Sequence, residues 1–504
     1  MPARGPGPCR RGADATMREA SSRGGSFPHV KLWTLHSGGA LDGPDDVVAP
    51  SERLSWGRTV GLGMQHVVAM FGATFVFPLL MGLSPQLAIM MSGLATLLFL
   101  VLTAGRVPSY LGSSASFVGV TGIIAAHGGS ASDKTGALFF IGVALLIVGI
   151  AIHALGASFM HRVMPPAVTG AVIMLIGFNL APVVASVYWP QDQWIAILVM
   201  LFVITVSVAS RGFLSRISIF AAVIVGYALS WLADVGLGPI TAPNAAGEVT
   251  THLRVDWSAV AAAPWIGLPQ ATTATTPGWH LPTFQLGFIL TVLPIVVALV
   301  AENIGHVKAV GEMTGEDLDP YVGRAVGADG LATMIATSVG GAPTTTYAEN
   351  IGVMAATRVY STAAYVVAAL TAILFGFSPK FGAVVSAIPG GVLGGITVVL
   401  YGMIGLLGAK IWVEHDVHFG HPATLVPLAA GIIMGVGNVS VHITEGFELS
   451  GIALGTITVI VGYHLAHALA RRARPEPGVP DFSGTDLDSS AEPDVVEGWG
   501  RHRD

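Results

Sequence analysis

"TTTYAENIGVMAATRVYS", residues 344–361, places a carboxylate, Glu349, and an amide, Asn350, inside a chain built otherwise of long apolar runs. Together with the preceding "GGAP" it combines Gly, Pro and hydroxyl residues, a composition unsuited to an unbroken helix. Irregular backbone at membrane depth is tolerated only where it faces protein or a water-filled cavity. A second stretch of the same kind, "GRVPSYLGSSASFVGV" (105–120), lies in the first half of the chain. Two broken segments in corresponding places point to a midplane binding site, where freed backbone N–H groups and helix N-termini meet a ligand.

The rest of the composition supports a membrane setting. Of 504 residues 52% are hydrophobic and only 11% charged, and the mean hydropathy is +0.69; a soluble domain carries about 25% charged residues. Runs such as "ALFFIGVALLIVGIAIHALG" (137–156) and "WIAILVMLFVITVSVAS" (194–210) approach the ~20 residues that a helix needs to cross the hydrocarbon core. Hydropathy predicts about fourteen spans and an all-α polytopic fold in which spans 3 and 10 are broken. The long polar connection 237–284 divides them seven and seven, the arrangement of an inverted repeat, although the halves show no convincing residue identity. Arg53, Arg58, Arg106, Arg162, Arg211, Arg216, Arg471, Arg472 and Arg474 fall on one side under that count, with Lys134 and Lys380 as exceptions. The positive-inside rule then puts both termini in the cytoplasm, with the plasma (inner) membrane as the location.

Residues 1–50 read as a disordered leader without a secretory signal, 51–470 as the membrane domain, and 471–504 as a Pro-rich, acidic, disordered tail. The net charge of −6 shows no basic patch, which removes nucleic acid as a partner, and the single cysteine, Cys9, excludes an internal disulfide. No phosphate-binding G-x-x-x-x-G-K-S/T loop is present, which argues against ATP-driven transport. The His-rich run "EHDVHFGH" (414–421) has no second cluster to complete a tetrahedral site, so neither a metal nor a cofactor is expected.

Charges within spans carry the functional reading. "LVAENIGHVKAV" (299–310) sets Glu302 and His306 four residues apart on one helix face, within hydrogen-bonding reach. Carboxylates in a bilayer are costly and face the protein interior, so Glu302 and Glu349 are functional candidates. Gln65 and His66, in "GLGMQHVVAMFG" (61–72), are interhelical hydrogen-bonding groups with a supporting role, as is Asn350. Asn179, Asp329 and Thr333 read as packing or loop polar groups.

At these residues the chain resembles the nucleobase–ascorbate transporter family, also called the nucleobase:cation symporter-2 family. "ENIGVMAATR" (349–358) matches its signature, Gln65–His66 its first-span pair, "AENIGH" its eighth-span carboxylate and histidine, and "SYLGSS" its third-span strand. The match runs in order over about residues 50–470, and "MPPAVTGAV" and "GFSPKFGA" are most similar to the uracil and pyrimidine branch. The resemblance implies a transporter rather than an enzyme: import of uracil, and of thymine or related bases, by proton symport. It implies that Glu302 and Glu349 hydrogen-bond the base, that His306 holds Glu302, and that Ser114 and the backbone N–H groups of Ala115 and Ala348 complete the site. Glu302, His306 and Tyr401 would serve proton coupling. It further implies short strands in the broken spans 3 and 10, a core of spans 1–4 and 8–11, a gate of spans 5–7 and 12–14, and a homodimer formed through the gate. Two positions depart from the uracil branch: Ala115 stands where Phe is common and Ala348 where Gly is common. The room at Ala115 keeps xanthine or urate open as the alternative substrate.

Overall fold

The computed structural model describes residues 33–41, 43, 46–114, 116–156, 164–211, 217–244, 247–269, 277–293, 295–444 and 447–472. Ala115, most of the expected leader and the tail beyond Arg472 lie outside these residues. In chain order the first half holds β1 (Thr34–Leu35), β2 (Glu52–Arg53), α1 (Trp56–Met81), α2 (Pro85–Leu102), β3 (Leu111–Gly112), α3 (Ser116–Ala126), α4 (Ala131–Leu155), α5 (Pro166–Asn179), α6 (Gln193–Ala209) and α7 (Ser218–Leu237). The connection carries β4 (Ile240–Pro243) and β5 (Val249–His252). The second half holds α8 (Ile295–Thr314), α9 (Asp319–Ser338), β6 (Thr345–Thr346), α10 (Ala348–Thr357), α11 (Thr362–Gly376), α12 (Gly390–Glu414), α13 (Pro422–Val436), β7 (Ser440–Thr444), β8 (Phe447–Ser450) and α14 (Gly451–Ala470). A short helix, Leu286–Val292, precedes α8, and another, Pro379–Ser386, follows α11 at a bend of 86°.

Among the described residues seven helical stretches are long and apolar enough to cross a membrane, or nine if each bent pair forms one span. The remaining helices are shorter or more polar, so length and composition place them below the expected fourteen. The fold is predominantly helical, but not all-α outside the broken spans. Antiparallel pairs β4–β5 and β7–β8 add hairpins that the apolar pattern did not announce.

Two helix groups pack internally. In one, α4 lies along α9 and α11 along both α1 and α2; in the other, α12 lies along α5 and α6, α13 along α14, and α6 along α7. Glycine permits the closest crossings. A Cβ at Gly149 would sit 2.3 Å from the Gly327 backbone nitrogen, joining α4 to α9, and one at Gly177 would sit 2.2 Å from that of Gly405, joining α5 to α12. The outer connection is pinned as well: Arg254 donates to Asp192 at 2.7 Å and to Asp234 at 3.1 Å. Asp192 also accepts from the first backbone N–H groups of α6, and Asp234 lies in the last turn of α7.

The leader expectation needs correction. The described residues between 33 and 50 form a strap along the α10–α11 connection: Trp33 Nε1 donates to Thr362 Oγ1 at 2.8 Å, the Val48 N–H to the Arg358 carbonyl at 3.1 Å, and the Tyr360 N–H to the Val48 carbonyl at 2.9 Å. Val48 is fully buried. His36 sits between Asp46 (2.9 Å) and Glu52 (2.7 Å). The bond to Asp46, against the lowering effect of burial and with help from Glu52, raises the imidazole pKa above its ordinary value.

Candidate functional site

The two broken spans meet. β3 and β6 pair antiparallel, Leu111 opposite Thr346 and Gly112 opposite Thr345, and α3 and α10 begin just beyond the ladder. Pro108 and Pro343 precede the strands and keep the backbone extended. The ladder is only two residues long, so neighbouring side chains supply the remaining partners. The Leu111 N–H donates to Thr96 Oγ1 at 2.9 Å and the Tyr347 N–H to the Tyr110 carbonyl at 3.0 Å. The Tyr347 hydroxyl donates to the Ser113 carbonyl at 2.5 Å and accepts from Thr74 Oγ1 at 3.1 Å. Its ring covers Gly112, where a Cβ would meet Tyr347 Cζ at 2.5 Å; only glycine fits there.

Around this crossing stand the expected carboxylates. Glu302, half-buried on α8, accepts from Ser116 Oγ at 3.4 Å across to the first turn of α3. Ser114 Oγ accepts the Ser116 N–H at 3.2 Å, tightening that turn. Glu349, half-buried in the first turn of α10, takes no partner from another side chain among the described residues. Ala348 beside it is exposed, so its small side chain leaves the helix start open. A negative group near a helix N-terminus is favoured by the macrodipole and by unspent N–H groups, which here serve Glu349 or a bound ligand.

Other sequence expectations fare differently. Among the described residues His306 forms no hydrogen bond to Glu302; its Nδ1 bonds Thr346 Oγ1 at 2.7 Å, anchoring α8 to the ladder. His66 and Asn350 do come together, Asn350 Nδ2 lying 3.0 Å from the His66 carbonyl and 3.2 Å from its Nδ1, with the imidazole ring 4.3 Å from that of Tyr365. Gln65 forms no side-chain hydrogen bond among the described residues. Tyr401, 2% exposed, lies where α12 meets α5, and its hydroxyl has no partner among the described residues.

Sequence reasoning missed Asp329. Read as a packing or loop group, it is 1% exposed on α9 and accepts from Thr345 Oγ1 at 2.9 Å and from Asn303 Nδ2. Its bond to Thr345 of β6 makes it a third carboxyl, behind the ladder. Ser116 was missed too; both stood in the sequence as polar residues within or beside apolar runs, but only packing shows what they touch. Half-buried acceptors, helix-start N–H donors and hydroxyls thus converge at one crossing, and such a set can pair with a small planar molecule whose edge alternates N–H and C=O groups.

Comparison with known proteins bears on this geometry. The Permease family model covers residues 57–444. The chain is 44% identical over 449 residues to the "Putative pyrimidine permease RutG" of Escherichia coli (strain K12), spanning 86% of this chain and 94% of that protein. It is 35% identical over 422 residues to the "Uracil permease" of Bacillus caldolyticus, spanning 81% and 92%, and 34% over 452 residues to that of Escherichia coli (strain K12), spanning 87% and 98%. Among solved structures, the anion transporter Slc26a9 of mouse superposes with a TM-score of 0.60 at 10% identity, covering 83% of this chain and 70% of that one. The transmembrane domain of the cyanobacterial bicarbonate transporter BicA gives 0.52 at 14%, covering 81% and 96%; at such identities the likeness is one of fold. The chain belongs to the Permease family, the nucleobase:cation symporter-2 family that its motifs resemble, and is a multi-pass membrane permease rather than an enzyme.

Proposed function

We propose that this protein imports uracil, or a closely related pyrimidine base, by proton symport. The observation that carries this reading is the pair of half-buried carboxyls at the β3–β6 crossing: Glu302 bonded to Ser116 at the start of α3, and Glu349 in the first turn of α10. The names of the relatives, pyrimidine and uracil permeases, support the substrate class. Glu349 and the backbone N–H group of Ala348 at the start of α10 pair with the base, with Ser114 shaping the turn; the backbone N–H of Ala115, expected beside them, lies outside the described residues. Glu302 binds the coupling proton. Because His306 is turned toward Thr346, its part is to fix α8 against the ladder, and Tyr401 serves the proton path from the α5–α12 side.

In the same reading the chain has fourteen spans in two inverted halves. The α1–α4 and α8–α11 elements form a core that carries the site, and α5–α7 with α12–α14 form a gate through which two copies dimerise. Both termini lie in the cytoplasm and the protein resides in the plasma (inner) membrane. Alternating access follows from one group moving against the other.

The test is radiolabelled uracil uptake in cells lacking their own uracil permease, at acid and neutral pH, with unlabelled thymine or xanthine as competitor. Acid-stimulated uptake that thymine blocks and xanthine does not is the expected result. Strong xanthine uptake without uracil uptake would move the assignment to the purine bases, the second reading, which the small Ala115 favours.

A further inference from the structure

A cavity of about 380 Å³ opens between α1, α7 and the short helix Pro379–Ser386, away from the β3–β6 crossing. Its lining is aromatic and aliphatic throughout. Phe71 and Phe75 of α1 pack on Phe381 at ring distances of 5.5 and 5.4 Å, and Phe71 packs on Phe220 of α7 at 4.9 Å. The one hydroxyl in the wall, on Tyr227, is aimed at the Val384 carbonyl 3.5 Å away. Ile224 and Trp231 line the cavity and are also 54% and 48% exposed, so it opens on the apolar outer face of α7.

We infer that one acyl chain of a bilayer lipid occupies this cavity. Apart from the Tyr227 hydroxyl and the indole N–H groups of Trp231 and Trp257 the wall is hydrocarbon, so it offers a nucleobase or a peptide little to pair with, and an apolar void holds no stable water. The length agrees with a single leaflet. From Phe220 to Trp231 the wall follows α7 over twelve residues, a rise of about 16 Å at 1.5 Å per step and roughly half of a ~30 Å hydrocarbon core. One end is marked as an interface. Trp257 stacks against Tyr227 with ring centroids 5.3 Å apart, and the Lys380 ammonium lies 5.3 Å from the Trp265 ring and donates to the Val260 carbonyl at 3.0 Å. Trp and Lys at one level are the side chains that settle at headgroup depth. The chain therefore enters from the leaflet on the Trp257 side and inserts toward Phe71. The cavity is walled by α1 on one side and α7 on the other, beyond the Phe71–Phe220 contact, so the lipid chain lies against both helix groups.

Binding is tested on the full-length protein reconstituted in phosphatidylcholine vesicles doped with a phosphatidylcholine that carries a diazirine in mid-chain. After irradiation, adducts are mapped by peptide mass spectrometry. Phe71, Phe75 and Phe381 are buried or half-buried, so lipid reaches them only through the cavity. The expected result is adducts on at least one of these three, reduced at least fivefold in Val223→Trp, which fills the cavity, and unchanged in Val208→Trp on the outer face of α6. Adducts confined to outward residues such as Leu198 and Val208 would overturn the inference, as would inner adducts that Val223→Trp leaves intact. Should Val223→Trp not fold, the wild-type adduct map decides by itself.

Discussion

Two regions share helix α1 and divide its chemistry between them. Thr74 faces the β3–β6 crossing, where its hydroxyl serves Tyr347, while Phe71 and Phe75 face the apolar cavity against α7. Thr74 and Phe75 are neighbours in sequence, so about 100° of helical rotation separates a hydrogen-bonded polar junction from a wall with almost no polar atom. The contrast teaches where this chain tolerates polarity. Hydroxyls, amides and carboxyls gather where short strands leave backbone groups to satisfy, and the opposite face is left to hydrocarbon. The apolar cavity lies on the far side of α1 from the crossing, so the polar junction and the hydrocarbon-lined wall do not share a surface.

The sharpest way to break the polar side is through its one steric requirement. Gly112→Val puts a branched side chain where even a Cβ would lie 2.5 Å from the Tyr347 ring. The ring cannot withdraw without losing its bonds to Ser113 and Thr74. Overpacking of about 1–3 kcal/mol adds to the loss of those bonds, each worth ~1 kcal/mol. Fluorescence-detected size exclusion should show the monodisperse peak lost or its melting point lowered by many degrees; a peak of wild-type stability would mean that the ladder is not the rigid junction described.

Next in size is the carboxyl pair. Glu302→Gln keeps the shape and the acceptor for Ser116 but cannot exchange a proton. Uptake by this variant should lose its acid stimulation, falling by about tenfold or more at acid pH, while base binding measured by scintillation proximity persists. Full proton-coupled uptake by Glu302→Gln would sink the coupling assignment. Asp329 offers a milder contrast. Both of its donors, from Asn303 and Thr345, reach the same oxygen, and the other oxygen has no partner among the described residues. An amide oxygen can take that place, so Asp329→Asn should stay within about 1 kcal/mol of wild type. Asp329→Ala strands two buried donors at about 1–3 kcal/mol each. Equal melting points for the two variants would show that the Asp329 bonds do not stabilise the junction.

What could be read in the sequence follows the range of the interactions. Pro, Gly and hydroxyl residues interrupt the apolar runs locally, so both broken segments were legible in the sequence, while their strands were expected from the family resemblance. Helical spacing put Glu302 and His306 on one face, yet it could not show that His306 would turn to Thr346, forty residues away. Asp329 misled for a similar reason. Its helix, α9, mixes small and polar residues because it lies along α4 at glycine-to-glycine distance, and that closeness, not hydropathy, buries it. The strap at residues 33–50 was invisible because its partners lie at 358–362. Composition there is that of a leader; only the long-range ladder makes it structure.

That strap gives the smallest predicted effect and ties the polar junction to a surface far from it. It grips the turn that follows α10, so its hold bears on the helix that presents Glu349. His36 bridges Asp46 and Glu52, and its pKa is raised in the folded state, first by the hydrogen bond to Asp46. A group whose folded pKa exceeds its unfolded value stabilises fully below the unfolded value, near 6.5, and loses that contribution as pH rises through the raised one. The bridge is partly exposed, so its worth is of order 0.2–1 kcal/mol and is screened by salt. Amide hydrogen exchange at residues 48 and 358–362 should therefore quicken by about two- to fivefold between pH 6 and pH 8.5, after correction for intrinsic rates. In His36→Ala the corrected rates should be fast at both pH values. Equal protection in wild type across that range would mean that the backbone pairing at Val48, Arg358 and Tyr360 holds the strap without the histidine.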